Sequence, residues 1–378
     1  TAMEASELMT RGFWQARQGR VLAPPPLEEQ GRCIERELNR EEGVVFATSG
    51  SSGLPKWVFM RRASLLASAE AVNKHLSVSS RDRFLLPLPF YHVGGFGIIA
   101  RAYVGGCDLR RFPGRWNARR FVEAIEEHGS TLTSLVPAQV HDLVACKLGA
   151  PPSLRAVVVG GSALDEVEGQ AACNLGWPLL QSYGMTETSS QVATDDLKYA
   201  NSDFRASPLP VMPQWECRLG PEDRLELRGE ALFEFYLRWD GHNLCREEGR
   251  DEEGWFRSGD VAELDGRCLT VRGRVDRRVK ILGELVDVQA LEDELRSGLD
   301  GGEVYILLVP DQRRGWRLQP IVERRGRGAG EVDALITLLN EGGPGFARLE
   351  QVGFVDELPR TPLGKIDGAA LRANFVPR

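Results

Sequence analysis

The sequence predicts an α/β protein: a large layered α/β N-terminal domain with a β-rich subdomain, then a small α+β C-terminal domain. Apolar, strand-like runs alternate with amphipathic, helix-like runs through the first half of the chain. That alternation is typical of helices layered on a largely parallel sheet. From residue 216 onward short strand-like runs lie among turns. Beyond residue 276 about one hundred residues remain, which is enough for a separate small domain.

The individual elements follow from the apolar periodicity. In the first half we predict strands at residues 43–47, 84–88, 131–136 and 155–159, and helices at 64–75, 118–128 and 139–148. The β-rich stretch contains predicted strands at 225–227 and 233–236. The last part contains predicted strands at 279–282 and 304–309 and helices at 288–295 and 332–339. We therefore expect one domain at residues 1–275 and a second at residues 276–378.

Composition bounds the function. The 378 residues are 42% hydrophobic and 27% charged, as in an ordinary globular protein, and the net charge of −7 gives no support to nucleic-acid binding. No apolar run is long enough to span a membrane, and no signal peptide opens the chain. The seven cysteines are scattered and never form CxxC. This argues against a disulfide framework or a zinc site and predicts a cytoplasmic location.

A turn rich in small and hydroxyl residues, TSGSSGLPK at residues 48–56, is the most informative segment. With the predicted strand before it and the predicted helix after it, such a turn can wrap the phosphates of a nucleotide. It is not a Walker A loop, because Gly-Lys-[Ser/Thr] is missing. A flexible surface turn is the alternative. Lysine is scarce, with six residues in the chain, so the retained Lys56 is expected to have a specific role.

Four more motifs carry polar chemistry. QSYGMTETSSQ at residues 181–191 could stack a base and present a carboxylate to Mg²⁺, or it could be a helix cap. WFRSGD at 255–260 could bind the two hydroxyls of a ribose, or form a hairpin turn. GRVDRRVKILG at 273–283 lies where the chain changes domain, and its alternative is a solvated charge run. RTPLGKID at 360–367 presents a lysine that could stabilise charge developing during a reaction. The alternative is an exposed lysine in a surface loop.

In this order and spacing the five motifs resemble those of the acyl-adenylate-forming superfamily, which includes acyl-CoA synthetases, firefly luciferase and peptide-synthetase adenylation domains. The resemblance runs from about Val44 to the end of the chain. PFYHVGGF at residues 89–96 is similar to the family segment that borders the acyl pocket. GGSAL at residues 160–164 is similar to the turn beside adenine. The resemblance implies ATP, Mg²⁺ and CoA as ligands and a mobile C-terminal domain.

It also implies roles for the matching residues. ATP would be bound by Thr48, Ser49, Gly50, Ser51, Ser52, Gly53 and Lys56 at the phosphates, by Gly161, Ser182, Tyr183 and Gly184 around adenine, and by Asp260 and Arg274 at the ribose. Glu187 would help hold Mg²⁺, and Asp276 would be the hinge. The implied catalytic residues are Lys365, which supports adenylation, with Thr186, Glu187 and His92.

Within the superfamily the chain is most similar to the o-succinylbenzoate–CoA ligases of menaquinone biosynthesis. The similarity lies in LPLPFYHVGGF from residue 86, SLVPAQVHDLV from 134 and YGMTETSSQVAT at 183–194. The implied acid has a second carboxylate, so a polar or cationic group should line its pocket. The candidates are His92, Ser189, Ser190 and Gln191. Only 47 residues precede the phosphate loop, so we expect the family's N-terminal subdomain to be trimmed.

The expected partners are therefore a small carboxylic acid, ATP and CoA, with no nucleic acid and no membrane span, and a homodimer is left open. Three other functions remain. One is another aryl or acyl ligase, or an enzyme that loads a carrier protein. The second is an amidase-type serine hydrolase, which also uses a Gly/Ser-rich run with a lysine. The third is a nucleotide-binding protein without turnover.

Overall fold

The computed structural model describes residues 4–38, 41–49, 55–239, 243–282, 284–299, 302–311, 313–324, 328–361 and 366–375. Over these residues the chain forms eleven α-helices and twenty-one β-strands, with short 3-10 turns between them. It divides into two compact units: Thr1–Ser258 with Glu263–Thr270, and Gly259–Ala262 with Val271–Arg378. The predicted domain boundary and the hinge at Asp276 stay predictions.

The helices are α1 (Ala5–Leu8), α2 (Arg11–Trp14), α3 (Glu28–Glu37), α4 (Arg62–His75), α5 (Val93–Gly105), α6 (Ala118–His128), α7 (Pro137–Ala145), α8 (Glu166–Asn174), α9 (Val288–Gly298), α10 (Ala329–Gly342) and α11 (Gly368–Phe375). The strands are β1 (Arg20–Leu22), β2 (Gly43–Ser49), β3 (Pro55–Arg61), β4 (Arg83–Leu86), β5 (Asp108–Arg111), β6 (Leu132–Leu135), β7 (Ala156–Val159), β8 (Leu179–Met185), β9 (Ser190–Thr194), β10 (Leu209–Pro210), β11 (Glu216–Leu219), β12 (Arg224–Arg228), β13 (Phe235–Trp239), β14 (Leu244–Glu247), β15 (Phe256–Asp265), β16 (Cys268–Arg274), β17 (Arg278–Ile281), β18 (Glu284–Asp287), β19 (Val304–Asp311), β20 (Gly315–Glu323) and β21 (Gly353–Val355).

A six-stranded sheet of order β5-β4-β6-β7-β8-β9 is the centre of the first unit. Every neighbouring pair is parallel except β8 with β9, which confirms the predicted layered α/β domain. Short parallel strands buried on both faces need apolar residues at every position, and β7 reads Ala-Val-Val-Val with all four residues buried. On one face, Val157 and Val159 pack with Phe121 of α6 and Val140 of α7 in a continuous core.

A second sheet of order β1-β2-β3-β13-β14 contains the two strands that flank the Gly/Ser-rich turn. Its core includes Trp57, Phe59 and Phe235. Here the expected strand–turn–helix arrangement is wrong. The turn joins β2 to an antiparallel partner, β3, and α4 begins only after β3. The run Trp57 to Met60 is fully apolar and almost completely buried, so it forms a central strand before the helical pattern starts.

The β-rich subdomain is a third sheet of order β10-β16-β15-β12-β11. Its strands alternate with tight turns, as the texture beyond residue 216 predicts. In the second unit, β17 and β18 form a hairpin and β19, β20 and β21 form a small sheet. Val288 of α9, Ile306 of β19 and Val332 of α10 share one core, which is the predicted small α+β fold. Among the described helices, none combines the length and the apolar character of a membrane span.

Candidate functional site

Two predicted nucleotide segments lie at one edge of the six-stranded sheet. β7 ends at Val159, just before Gly161, and β8 continues through Tyr183 to Met185. Because β7 and β8 are parallel, their carboxyl ends lie at the same edge, which is where ligands bind open α/β sheets. Gly161 has φ +89°. Residues that carry a Cβ rarely adopt this backbone conformation, so the turn after β7 needs glycine there.

Buried side chains tie these two segments together. The amide of Gln181 donates to the carbonyl of Ser162 at 3.5 Å and to that of Ser182 at 3.1 Å. The hydroxyl of Ser182 donates to the carbonyl of Val159 at 3.0 Å and is buried. Ser182 therefore joins β8 to β7 through its side chain, and its predicted contact with the nucleotide stays a prediction.

A tight turn after β8 presents Thr186 and Glu187. The hydroxyl of Thr188 donates to the carbonyl of Met185 at 3.0 Å and accepts from the N–H of Met185 at 3.1 Å. These two bonds close a 3-10 turn over residues 186–188. Gly184 lies so close to the returning strand that an added Cβ would be 1.5 Å from the carbonyl oxygen of Ser190. The turn thus leaves Thr186 and Glu187 half-buried at the sheet edge, where they remain candidate ligands for phosphate and metal.

Lys56, at one described end of the phosphate loop, lies close to Glu187 because both residues contact Tyr236. Thr48 and Lys56 face each other across β2 and β3, and the Thr48 hydroxyl donates to the Lys56 carbonyl at 3.1 Å. The Lys56 ammonium lies 3.5 Å from the ring centroid of Tyr236. The Tyr236 hydroxyl donates to Oε1 of Glu187 at 3.0 Å. The structure therefore brings together a cation and a carboxylate that are 131 positions apart, since 187 − 56 = 131.

Several predicted residues lie outside the described residues. They are Gly50, Ser51, Ser52 and Gly53 of the loop and Lys365 near the C-terminus. Ser49 ends β2 at the base of the same loop. The roles of these residues stay predictions.

In the second unit, one arginine joins two predicted carboxylates. Nη1 of Arg274 donates to Asp260 at 3.0 Å, and its Nε donates to Asp276 at 2.9 Å. The Asp260 side chain is 11% exposed and that of Arg274 is 53% exposed. Arg274 thus fixes the orientation of Asp260, the predicted ribose ligand, and of the predicted hinge residue.

A small polar cleft lies next to the turn that carries Glu187. It is formed by α4, α5 and the start of β9, and it has room for about one water-sized group, about 10 Å³. Its lining includes one cation and three of the four predicted substrate residues, without His92; the polar members are Ser68, Arg101, Ser189, Ser190 and Gln191.

Arg101 is the cation of this cleft, and it is 3% exposed. Its Nε donates to the carbonyl of Gly97 at 2.9 Å and its Nη2 to the hydroxyl of Ser134 at 3.2 Å. Of the carboxylates in the described residues, none lies within ion-pairing distance of its guanidinium. Burial lowers the pKa of Arg101 to about 10, so the side chain remains charged at neutral pH. A buried cation without an anion is costly and marks a binding-site candidate.

The predicted substrate residues differ in what their side chains can reach. The hydroxyl of Ser189 donates to the carbonyl of Ala231 at 2.8 Å, so it holds the fold at this point. Gln191 accepts a hydrogen bond from Thr194 at 2.7 Å. Ser190 faces Gly97, since a Cβ added at Gly97 would lie 3.5 Å from the Ser190 hydroxyl. His92 immediately precedes α5 and is half-buried.

Sequence reasoning did not identify Arg101 or Tyr236. Arg101 is the one charged residue in the apolar helix VGGFGIIARAYVG, and that contrast was an available signal. Tyr236 lies in the predicted strand at 233–236, where an aromatic residue is ordinary, so no local pattern distinguishes it.

The described residues contain no group of three or more His, Cys, Asp or Glu side chains that could hold a metal ion. That arrangement still fits Mg²⁺ bound with a nucleotide, because Mg²⁺ then takes one or two carboxylates and completes its shell with phosphates and water. Glu187 fits as such a carboxylate, since it is half-buried at the sheet edge and its Oε1 accepts a hydrogen bond from the Tyr236 hydroxyl.

Comparison with known proteins agrees with this arrangement. A family model described as AMP-binding enzyme matches residues 30–219. The chain is 30% identical to indoleacetate–CoA ligase of Aromatoleum aromaticum, over 92% of this chain and 71% of that protein. It is 28% identical to 2-succinylbenzoate–CoA ligase of Bacillus cereus, over 92% of this chain and 73% of that protein.

Solved structures show the same fold. The o-succinylbenzoate CoA synthetase of Bacillus subtilis, in complex with its acyl-adenylate intermediate, is similar with a TM-score of 0.72 and 22% identity, over 87% of this chain and 68% of that one. ATP-bound MatB of Rhodopseudomonas palustris is similar with a TM-score of 0.74 and 18% identity, over 99% of this chain and 82% of that one. At these identities the likeness shows the fold alone.

Proposed function

The chain belongs to the AMP-binding enzyme family and is an AMP-forming acid–CoA ligase, and we propose that the acid it activates is 2-succinylbenzoate. The observation that carries the proposal is Arg101, a buried cation that lines the cleft beside the nucleotide segments. A second carboxylate on the acid would supply the missing counter-charge. Several relatives named 2-succinylbenzoate–CoA ligase support the same choice.

The reaction has two steps. A carboxylate oxygen of the acid attacks the α-phosphorus of ATP, the bond to the bridging oxygen breaks, and pyrophosphate leaves. The CoA thiolate then attacks the acyl carbon, the carbon–oxygen bond breaks, and AMP leaves with the former carboxylate oxygen. The protein contributes mainly by positioning the reactants and neutralising charge. Lys56 and the loop hydroxyls would bind the departing phosphates, and Lys365 would stabilise the charge that develops during adenylation.

Other residues would hold the nucleotide. Tyr183 would stack on adenine, Thr186 would contact phosphate, and Asp260, oriented by Arg274, would accept the ribose hydroxyls. Glu187 would be the protein ligand of Mg²⁺, which neutralises phosphate charge when it is bound.

A second candidate acid is an arylacetate such as indoleacetate, because the chain is also 30% identical to an indoleacetate–CoA ligase. The cleft disfavours this candidate. Indoleacetate has one carboxylate, which is consumed in adenylation, so it has no anion left to pair with Arg101. An apolar ring placed there would leave the buried guanidinium uncompensated.

The test compares acids that differ by one carboxylate. Pyrophosphate release is measured with 2-succinylbenzoate, with benzoylpropionate, which lacks the ring carboxylate, and with butyrylbenzoate, which lacks the chain carboxylate. We expect Arg101→Met to lower kcat/KM for 2-succinylbenzoate by about 30-fold, which corresponds to about 2 kcal/mol. The variant should not change kcat/KM for the analogue that keeps only the reacting carboxylate.

Arg62→Met is the matched control. Arg62 is also buried, but it donates to the carbonyls of Ala16 and Gln18 and does not line the cleft. This variant should lose stability while keeping the preference for the dicarboxylic acid. If Arg101→Met lowers activity equally for all three acids, or if indoleacetate is the better substrate of the wild type, the proposed substrate is wrong.

A further inference from the structure

The contacts around Tyr236 point to a role that the motifs do not assign. Tyr236 lies on β13 next to β3, with 6% of its surface exposed. The Lys56 ammonium lies 3.5 Å from the centroid of the Tyr236 ring. The Tyr236 hydroxyl donates to Glu187 at 3.0 Å. These two partners are the candidate phosphate cation and the candidate metal carboxylate. One side chain therefore contacts both charged groups.

We propose that Tyr236 is a positioning residue: it orients Glu187 for the metal ion and keeps Lys56 from pairing with that carboxylate. This inference rests on the proposed role of Glu187 as the Mg²⁺ ligand. The two contacts are chemically distinct, so they can be separated by substitution. The hydroxyl donates to Glu187, and the ring contacts Lys56.

The hydroxyl contact fixes the carboxylate. A metal-binding carboxylate needs one oxygen directed at the ion, and a hydrogen bond on the other oxygen holds that orientation. Here the Tyr236 hydroxyl occupies Oε1. The backbone supports the same geometry, because the N–H of Phe233 donates to the Glu187 carbonyl at 2.8 Å. Phe233, two residues before β13, thus holds the main chain of Glu187 while Tyr236 holds its side chain.

The ring contact keeps two opposite charges available. Lys56 and Glu187 share Tyr236 as a neighbour, yet they form no ion pair with each other in the described structure. An ammonium over an aromatic face is attracted by the ring without being neutralised. A direct ion pair would have to be broken before phosphate and metal could bind. The tyrosine ring removes that competing state.

The test measures ATP binding by calorimetry, without any acid, in the presence of Mg²⁺ and in the presence of EDTA. The ratio of the two dissociation constants is the coupling between metal and nucleotide. Tyr236→Phe removes only the hydroxyl. We expect it to lower that coupling by about tenfold, as for the loss of other outer partners of metal ligands, with no change in EDTA. Tyr236→Leu also removes the ring and should weaken binding in EDTA as well.

Two variants make the result decisive. Glu187→Gln should abolish the coupling, and Tyr199→Phe, which removes a tyrosine hydroxyl elsewhere on the same unit, should leave both constants unchanged. If Glu187→Gln removes the coupling and Tyr236→Phe keeps it, the inference is overturned while the metal role stands. If Glu187→Gln keeps the coupling, both fail together. The choice of acid is tested separately, because no acid is present, and the fitted stoichiometry counts only folded, binding molecules.

Discussion

At the scale of single residues, the structure separates two neighbouring serines that the sequence treats alike. Ser189 and Ser190 are both in the motif at residues 181–191, and both were candidates for the acid pocket. The Ser189 hydroxyl is 2.8 Å from the Ala231 carbonyl, with the residue 2% exposed. Ser190 faces the cleft opposite Gly97. Position along a motif does not reveal this difference, because it depends on a turn at Ala231, 42 residues away.

This difference predicts opposite results for two alanine variants. Ser189→Ala leaves the Ala231 carbonyl without its donor, so it should lower the free energy of unfolding by about 1 kcal/mol and leave KM for the acid unchanged. Ser190→Ala should keep the stability and raise KM for the acid. Urea denaturation and steady-state kinetics on both proteins measure the two effects. The reverse pattern would show that Ser189 contacts the acid.

Arg101 illustrates what residue-level sequence reasoning missed. The sequence predicted that a polar or cationic group lines the acid pocket, and it identified candidates only inside recognised motifs. Arg101 lies just beyond the segment at residues 89–96, on an otherwise apolar helix. Its significance comes from burial and from the lack of a described carboxylate partner, and neither property can be read from local pattern.

At the scale of elements, the periodicity predicted most strands and helices, and the failure at residues 55–61 has a clear cause. The helix predicted at residues 64–75 is present as α4, but no strand was predicted between the Gly/Ser-rich turn and this helix, where β3 lies. The misleading feature was the Pro-Lys pair, which was assigned to the loop, although the apolar run after it completes a hairpin with β2. The consequence is functional, because the hairpin is what brings Lys56 to Tyr236.

A partly buried ion pair joins strands at the amino edge of the parallel sheet, opposite the candidate site. Asp82, Thr131 and Arg155 immediately precede β4, β6 and β7. The carboxylate of Asp82 accepts a hydrogen bond from Arg155 at 2.7 Å and another from the Thr131 hydroxyl at 2.8 Å. Burial alone would raise the pKa of Asp82, but the hydrogen bonds from Arg155, the Ser79 backbone and Thr131 outweigh it and lower that pKa to about 2.

We therefore predict that Asp82→Asn lowers the free energy of unfolding by about 2 kcal/mol at pH 7. This value lies between the stability losses typical of breaking an exposed ion pair and of breaking a buried one. The folded pKa is below the unfolded value of about 3.9, so this stabilisation is complete above that value and is lost as the pH falls towards 2. Urea denaturation across this range measures it, with the exposed Asp265→Asn as control. If the free energies of unfolding of the wild type and of Asp82→Asn differ by the same amount at pH 7 and at pH 2, the assignment is contradicted.

At the scale of the whole molecule, the candidate residues are distributed over both units. Thr48, Lys56, Arg101 and Glu187 belong to the first, and Asp260 with Arg274 belongs to the second. The ordered motifs predicted this family from sequence, because each motif is a short run whose chemistry is local. The acid could not be predicted with the same precision, because its pocket is assembled from helices and strands that are far apart in the chain.

The most direct test of the central claim follows the oxygen atoms of the acid. 2-Succinylbenzoate labelled with ¹⁸O in both carboxylates is incubated with the enzyme, ATP, Mg²⁺ and CoA, and the products are analysed by mass spectrometry. An acyl-adenylate route predicts a CoA thioester and AMP that carries one labelled oxygen, with unlabelled pyrophosphate. Unlabelled AMP, label in orthophosphate, or thioester formation without ATP would contradict the account.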